Sequence, residues 1–271
     1  MDLKVLATDL DGTLIPLEND LDNRRDLGAV ERFVREHRLE LLFVTGRHFS
    51  SVQHAMREHA LPSPRWIICD VGTTIMHRPE KIDAADSAMQ RVAAYHDTLA
   101  SIVGPIGTTE LSREFVGIPA VRLQEAEKQG AYKLSYYADA SRLTEIVDRF
   151  QHTLDRIAAP YSIIASVDPF NGDGLIDLLP SGVSKAYALR WWADQMTVAP
   201  ESIVFAGDSG NDLAALTAGY RAIVVQNASE DLKRDVQAAH QLANTENFVF
   251  LANRKATSGV LEGLKFHSRR G

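Results

Sequence analysis

The chain has little of several residues and patterns that mark common protein classes. Its single cysteine, Cys69, excludes a disulfide framework and any metal site built from several cysteines. The nine histidines contain no H-x-H or H-x-x-x-H pair, so a paired-histidine zinc site is not expected. No P-loop motif occurs, and no apolar run approaches the roughly eighteen residues of a membrane span. Nucleotide hydrolysis through a P-loop and a membrane-spanning protein are therefore both excluded.

Basic residues are also in the minority. The chain has 29 lysines and arginines against 36 acidic residues, a formal net charge of −7. Proteins that bind nucleic acid or a membrane surface need a basic footprint, so we expect neither partner. The N-terminal stretch MDLKVLATDL lacks a basic segment followed by a long apolar one, and we expect a cytoplasmic protein. With 271 residues, 45% of them apolar, the chain can bury one large or two modest cores.

Short, apolar, β-rich runs alternate with longer helical patterns over much of the chain. This alternation predicts an α/β fold with a doubly wound parallel sheet. In such sheets ligands bind at the carboxyl ends of the strands, so the residues that follow each strand deserve inspection. The predicted strands are Lys4–Thr8, Glu40–Thr45, Trp66–Asp70, Ile203–Gly207 and Ala222–Val225, and the predicted helices are Arg25–Arg38, Ser50–His59 and Ser184–Met196.

The middle third of the chain has a different pattern. Two helical stretches, Ala84–Ala100 and Ser141–Arg156, accompany an alternating strand at Ala131–Ala138. We interpret residues 78–171 as a smaller, inserted α+β domain. The apolar pattern resumes at Leu175–Leu179, which predicts a discontinuous core domain made of residues 1–77 and 172–271.

Polar side chains follow the first predicted strand. Asp9 and Asp11 stand two residues apart, and a turn at Gly12 can direct both carboxylates at one point. Such a pair can supply a nucleophile and a proton donor. A strand-end turn with two solvated aspartates is the alternative at this stage.

Further polar clusters follow other strands. Asp208, Ser209, Asn211 and Asp212 offer the hard oxygen ligands that suit Mg²⁺, although Asp208 and Asp212 can equally cap a helix. A hydroxyl at Thr45 and an ammonium early in a helix, with backbone amides, can bind phosphate. Each of these residues alone fits ordinary surface chemistry. Their occurrence in order after strands of one parallel sheet favours a single site.

The same residues carry a family resemblance. Asp9–Leu14 (DLDGTL), Thr45-Gly46-Arg47, Lys185 and Gly207–Asp212 (GDSGND) resemble the four motifs of the haloacid dehalogenase superfamily of phosphatases. The insertion is similar to the α/β cap of its Cof-type (IIB) subclass. The chain most resembles the sucrose-phosphate phosphatase group, and it departs from that group in a longer stretch at Ser166–Gly174. The counterparts in that group are Val71–Thr73, Tyr132–Tyr136, Asp177–Pro180 and Gly259–Leu264.

The resemblance implies a mechanism and a set of roles. Asp9 is the implied nucleophile, which forms an aspartyl-phosphate, and Asp11 is the implied acid and base, in an environment that favours its neutral form. The implied cofactor is Mg²⁺, held by Asp9, the Asp11 carbonyl and Asp208, with Asp212 in the same metal group and Thr13 and Ser209 orienting it. The phosphate-binding candidates are Gly12, Thr45, Gly46, Lys185 and Asn211, and the candidate substrate contacts are Arg47, Gly72, Thr73, Lys133 and Tyr136.

The predicted function is hydrolysis of a sugar phosphate, with sucrose 6-phosphate or a related disaccharide phosphate as the leading substrate. The predicted partner is this small molecule alone, and we expect a monomer. A phosphomutase of the same superfamily is one alternative, and an isomerised product would reveal it. A non-catalytic sugar-phosphate sensor is the other, but a pure binder has no use for a nucleophile together with a proton donor.

Overall fold

The computed structural model describes residues 3–79, 88–167 and 171–269. The chain forms two compact units: residues 1–91 with 184–271, and residues 92–183. The strands are β1 (Val5–Thr8), β2 (Glu40–Val44), β3 (Trp66–Cys69), β4 (Thr74–His77), β5 (Gln90–Arg91), β6 (Val121–Leu123), β7 (Leu134–Ala138), β8 (Tyr161–Val167), β9 (Gly174–Pro180), β10 (Ile203–Gly207), β11 (Arg221–Val224) and β12 (Val249–Leu251). The helices are α1 (Leu21–Glu36), α2 (Phe49–Glu58), α3 (Ala93–Val103), α4 (Thr108–Glu114), α5 (Leu143–Arg156), α6 (Lys185–Gln195), α7 (Leu213–Leu216), α8 (Glu230–Leu242) and α9 (Ala256–Ser268).

The larger unit is built on an eight-stranded sheet in the order β12-β11-β10-β1-β2-β3-β4-β5. The pairs from β12 to β3 are parallel, while β4 and β5 add an antiparallel edge. Parallel strands need crossover connections, and helices supply them here. The predicted α/β class with a largely parallel sheet is confirmed.

The central strands β1 and β2 are largely apolar, with Thr8 at the end of β1 and Glu40 at the start of β2 as the exceptions. All four residues of β1 are buried, as are the last four of β2. A strand covered on both faces needs no polar alternation, which explains these continuous apolar runs. Helix α1 begins where the side chain of Asp20 accepts a hydrogen bond from the Asn23 backbone, and its spaced Leu27, Val30 and Phe33 enter the core.

The predicted core strands agree with the observed ones within one residue at either end. Helix α1 starts at Leu21, earlier than the predicted Arg25. In the smaller unit, the helix predicted at Ala84–Ala100 is α3, Ala93–Val103, and residues 84–87 lie outside the described residues. Of the longer stretch at 166–174, residues 168–170 also lie outside them.

Both predicted boundaries of the inserted domain differ from the structure. The insertion was expected to begin at residue 78, but β5 (Gln90–Arg91) pairs with β4 in the larger unit's sheet, and the smaller unit begins at residue 92. Leu175–Leu179 was assigned to the core domain, but it lies in β9, a central strand of the smaller unit's sheet. That sheet has the order β6-β7-β9-β8 and is antiparallel, with β9 paired to β7 and β8. The return to the larger unit therefore comes at residue 184 rather than at 172.

Within the described residues, no helix combines the length and apolar character that crossing a membrane requires. The expectations of a cytoplasmic location, of a monomer and of no nucleic-acid partner stay predictions.

Candidate active site

The polar residues that follow β1 and β10 lie together because these two strands are parallel neighbours. The Asp9 backbone amide donates to the carbonyl of Ala206 at 2.9 Å, which continues the strand pairing into the loops. Beyond it, the Thr13 hydroxyl donates to Oδ1 of Asp208 at 2.8 Å. The first and last predicted clusters, 195 residues apart, thus form one site.

A tight turn directly follows the two carboxylates of the first cluster. Gly12 has φ of +70°, and a Cβ on it would lie 2.8 Å from Cγ of Asp208, so only glycine fits there. The turn leaves Asp9 buried, at 4% exposure, while the Asp11 side chain is 56% exposed. Two residues of the same type therefore occupy different environments.

Helix α6 places Lys185 in this site. The Ser184 side chain accepts a hydrogen bond from the Tyr187 amide at 3.3 Å and so begins the helix, which makes Lys185 its first residue. Gly72 allows this helix end to approach. Its φ is +101°, and a Cβ there would lie 2.9 Å from the backbone nitrogen of Lys185. Gly72 therefore supports the position of Lys185 from the loop after β3.

The fully buried ammonium of Lys185 donates three hydrogen bonds. Its acceptors are Oδ1 of Asp9 at 2.9 Å, Oδ1 of Asn211 at 2.9 Å and Oδ1 of Asp212 at 2.7 Å. The ammonium thus uses all three of its hydrogens. It joins residues from two strand ends, and it opposes the negative charge gathered there.

Burial dominates the electrostatics of this group. Burial raises the pKa of Asp9 to about 8, although the charge of Lys185 acts to lower it. Burial, with repulsion from Asp212, raises the pKa of Asp208 to about 6. For Lys185, burial alone would lower the pKa, but the charges of Asp212 and Asp9 outweigh it and raise the pKa above its ordinary value. The site therefore gathers three carboxyl groups around one lysine, and ionisation of all three would leave more negative charge than that lysine neutralises.

This excess of carboxylate suits a divalent cation. Asp9, Asp208 and Asp212 each offer an oxygen, and the three oxygens lie within 4.8 Å of one another. Asp212 is already engaged, because Oδ1 binds Lys185 while Oδ2 accepts the backbone amides of Asp208 and Ser209 at 3.1 Å each. Asp9 and Asp208 are thus the carboxylates best placed to hold a metal, and Asp212 braces the loop. The hard oxygen donors fit Mg²⁺.

The loop after β2 contributes to the same site. Thr45 is fully buried, and its hydroxyl accepts the Arg47 backbone amide at 3.2 Å. A Cβ built on Gly46 would lie 3.9 Å from Nδ2 of Asn211, which places this loop beside the last cluster. The Arg47 side chain pairs with Asp11 through two hydrogen bonds of 2.7 Å. The structure thus brings all four predicted clusters together, and it places the Asp11 carboxylate beside the Arg47 guanidinium.

Several weaker candidates have other contacts than those expected. The Thr73 hydroxyl is buried and donates to the Asp70 carbonyl at 3.0 Å, which stabilises the turn beside Gly72. Tyr136 packs against Phe115 and Phe150, with ring centroids 6.0 and 5.3 Å away. Its ring is a core residue of the smaller unit, and this environment does not fit the predicted contact with the leaving group.

Lys133 also lies in the smaller unit, where it belongs to a cluster of polar side chains. Its ammonium lies 3.7 Å from Oδ1 of Asp177, and the Ser135 hydroxyl donates to the same oxygen at 2.5 Å. Side chains alternate along a strand, so 133, 135 and 137 share one face of the chain while Tyr136 points to the other. Ser135 and Asp177 are not among the site residues predicted from the sequence.

Asn227 is also not among the predicted site residues. It follows β11, and its Nδ2 donates to the Gly12 carbonyl at 2.8 Å and lies 3.5 Å from Oδ2 of Asp208. Its side-chain oxygen Oδ1 accepts a hydrogen bond from the Ala256 backbone amide at 2.8 Å. Asn227 thus ties the Gly12 turn and the Asp208 loop to the start of α9. Its place three residues after the end of a parallel strand was the signal that could have found it.

Comparison with known proteins places this site in a family. The family model of sucrose-6F-phosphate phosphohydrolases matches residues 2–268. The chain belongs to this family. The prediction of a haloacid dehalogenase superfamily member, a sugar-phosphate phosphatase most like the sucrose-phosphate phosphatase group, is confirmed.

Individual relatives agree with this assignment. A putative HAD-like hydrolase of Nitrosococcus oceani is 33% identical, over 96% of this chain and 70% of that protein. Mannosylfructose-phosphate phosphatase of Agrobacterium fabrum is 30% identical, over 97% of this chain and 96% of that protein. The fold is similar to that of the sucrose-phosphatase of Synechocystis sp. PCC6803, solved with sucrose and phosphate, with a TM-score of 0.76, 22% identity and 98% of each chain covered.

Proposed function

We propose that the chain is a Mg²⁺-dependent phosphatase that hydrolyses a disaccharide phosphate, with sucrose 6-phosphate or a close relative as the leading substrate. The observation that carries the chemistry is that the buried ammonium of Lys185 donates hydrogen bonds to both Asp9 and Asn211. This arrangement offers a dehydrated carboxylate next to cationic and amide donors. A phosphoryl group needs both, since catalysis of its transfer is mostly positioning and neutralisation of charge.

The reaction proceeds in two steps. An oxygen of Asp9 attacks phosphorus, and the bond from phosphorus to the sugar oxygen breaks with its electron pair on that oxygen, which takes a proton from Asp11. Water then attacks the phospho-aspartate and gives a proton to Asp11. The bond from phosphorus to Asp9 breaks, which regenerates the carboxylate and releases phosphate. Splitting one displacement into two is the usual advantage of a covalent route.

Asp9 and Asp208 are the carboxylates that would hold Mg²⁺, with the Asp11 carbonyl as a further oxygen ligand. When bound, the cation neutralises charge on the transferring phosphoryl group. Thr13 and Asn227 fix the Asp208 carboxylate through contacts of 2.8 and 3.5 Å. The Asn211 amide and the Thr45-Gly46 loop bind the phosphoryl oxygens, while the positive charge of Lys185, held on Asp9, Asn211 and Asp212, opposes the charge of the phosphoryl group.

The polar cluster of the smaller unit is our candidate for sugar recognition. Asp177 and Lys133 offer an acceptor and a donor, and Ser135 links them on the central strands β7 and β9. Carboxylates and ammonium groups of this kind suit sugar hydroxyls, which both donate and accept. Tyr137 extends this face, and the Arg122 guanidinium lies 4.4 Å from its ring centroid. These residues replace Tyr136 as the proposed specificity residues.

The test is phosphate release from a panel of sugar monophosphates and disaccharide phosphates, with and without Mg²⁺. Wild type should release phosphate from a disaccharide phosphate only with Mg²⁺, and Asp9→Asn should release none. Asp177→Asn should raise KM for that substrate while leaving small generic phosphate esters unaffected.

Two results would contradict the proposal. Wild-type turnover by Asp9→Asn would show that Asp9 is not the nucleophile. A product in which the phosphate has moved to another sugar position, without free phosphate, would indicate a mutase. Asp173→Asn is a matched control, since Asp173 precedes β9 and its side chain contacts the nearby Asn171. This variant should behave like wild type.

A further inference from the structure

Each of the two carboxylates in the DLDGTL turn has a cation of its own. Lys185 binds Asp9 in the buried part of the site, and Arg47 binds Asp11 at its exposed edge. In the Arg47 pair, Nε donates to Oδ2 and Nη2 to Oδ1, each at 2.7 Å. Two parallel bonds fix the plane of a carboxylate as well as its distance, which a single bond does not.

Arg47 is itself held at several points. Its backbone amide donates to the Thr45 hydroxyl at 3.2 Å, and its carbonyl accepts the Asp70 amide at 2.9 Å. At the far edge of the guanidinium, Nη1 donates to the hydroxyl of Ser51 in α2 at 3.0 Å. Arg47 is therefore held through its backbone and, at Nη1, through α2, independently of Asp11, so its guanidinium can act as a fixed template.

Asp11 needs such a template. Its side chain is more than half exposed, and among the described residues the hydrogen bonds to its carboxylate come from Arg47. An exposed aspartate otherwise samples several staggered rotamers. An ionised carboxylate has about four lone-pair positions, and Arg47 uses two of them, so each oxygen keeps a position for proton exchange.

We propose that Arg47, anchored by Ser51, is the positioning residue that holds Asp11 in the orientation required for proton transfer to the leaving sugar and from the attacking water. This inference rests on the proposed function, because it assigns Arg47 to the acid–base group of that same reaction. It differs from the sequence expectation, in which Arg47 contacts the substrate.

The two steps of the reaction separate these roles. With p-nitrophenyl phosphate, the departing nitrophenolate is stable without a proton, so the first step does not need Asp11. The second step still needs Asp11 to accept a proton from water. A sugar phosphate needs Asp11 in both steps, because an unprotonated sugar alkoxide is a poor leaving group.

Arg47→Met should therefore respond differently to the two substrates. With p-nitrophenyl phosphate, rapid mixing should show one nitrophenolate per active site released at close to the wild-type rate, followed by slow turnover. With the sugar phosphate cleaved by wild type, the variant should be slow from the first turnover. The fall in kcat should approach that of Asp11→Asn, about 10²- to 10⁴-fold for a lost acid–base group. For the sugar phosphate, whose first step is also slowed, KM should change little.

Two milder variants grade the effect. Arg47→Lys keeps the charge but loses the two-point geometry, so it should recover only part of the rate. Ser51→Ala should give a smaller loss of the same kind. Arg234→Met removes an exposed arginine that pairs with Asp231 at 2.7 Å on α8, and it should match wild type with both substrates.

Three outcomes would overturn the assignment. If the first nitrophenolate is slowed as much as sugar release, Arg47 binds the phosphoryl group directly. If Arg47→Met turns over the sugar phosphate at the wild-type rate, Asp11 needs no template. If Arg47→Lys restores full activity, charge alone suffices. Failure of the proposed function looks different, because the wild-type protein would then release neither nitrophenolate nor phosphate from any phosphate ester.

Discussion

Replacing Lys185 by methionine removes the cation on which the site depends. Methionine keeps an unbranched apolar side chain in the fully buried position but carries no charge. Asp9 and Asp212 then lose hydrogen bonds of 2.9 and 2.7 Å, and Asn211 loses a third of 2.9 Å. Two buried carboxylates remain without a counter-charge.

The size of the loss follows from these distances. At an effective dielectric constant of about 20, unit charges at 2.7 to 2.9 Å attract each other by about 6 kcal/mol. The removal of the ions from water opposes much of this attraction. Removing one partner of a buried pair accordingly costs about 3 to 5 kcal/mol in the free energy of unfolding. The loss should be smaller at pH 5 than at pH 8, because a buried carboxylate that lacks its cation takes up a proton.

Urea unfolding followed by tryptophan fluorescence measures this loss. The chain's three tryptophans, Trp66, Trp191 and Trp192, all lie in the larger unit, so the signal reports the unit that contains Lys185. Lys233→Met, which removes a lysine paired at 2.7 Å with the exposed Glu230, is the control and should cost about 1 kcal/mol or less. A Lys185→Met protein within about 1 kcal/mol of wild type at pH 8 would refute the reasoning, since buried charges that have lost their partner cannot be that inexpensive.

Two further predictions concern the turn and the metal. Gly12→Ala should cost about 1 to 2 kcal/mol for its φ of +70° and, in addition, should weaken Mg²⁺ binding in calorimetry, because the new Cβ displaces the Asp208 carboxylate. Gly219→Ala, with φ of +89° and nothing within 4 Å, should show the strain without the loss of Mg²⁺, and equal Mg²⁺ affinities would contradict the collision. Mg²⁺ affinity should rise with pH through about 6 and about 8, the raised pKa values of Asp208 and Asp9, because the cation must displace their protons. Protonation of Asp9 also stabilises the metal-free fold at low pH, and that contribution disappears as pH rises through about 8. The gain in melting temperature from Mg²⁺ should therefore grow over the same range. A gain that is independent of pH would exclude this linkage.

The core of the site was accessible from the sequence for a physical reason. Parallel strands point the same way, so residues that directly follow them meet at one edge of the sheet. Asp9, Thr45 and Asp208 were found in this way, because each comes after a clear apolar run. Asn227 comes to the same edge three residues after the end of β11. It was overlooked because its side chain is uncharged and because its hydrogen bonds hold the backbone in place.

The smaller unit was harder to predict from the same kind of pattern. An apolar run such as Leu175–Leu179 is equally compatible with a buried parallel strand and with the centre of an antiparallel sheet, so periodicity alone did not decide which sheet takes it. Tyr136 is a different error. Lys133 and Tyr136 lie three residues apart around a strand, and strand geometry puts positions of opposite parity on opposite faces. The alternation itself thus favoured Ser135 and disfavoured Tyr136.

The different environments of Asp9 and Asp11 follow from one glycine and two distant cations. The turn at Gly12 leaves one carboxylate buried and the other exposed. The buried carboxylate is freed of water and faces Lys185, as an attacking oxygen requires, whereas the exposed one keeps contact with solvent, from which the second step draws its water. Exchange of the two cations would not preserve this division. A guanidinium is too large for the three-bond position of the Lys185 ammonium, and an ammonium cannot fix the plane of the Asp11 carboxylate.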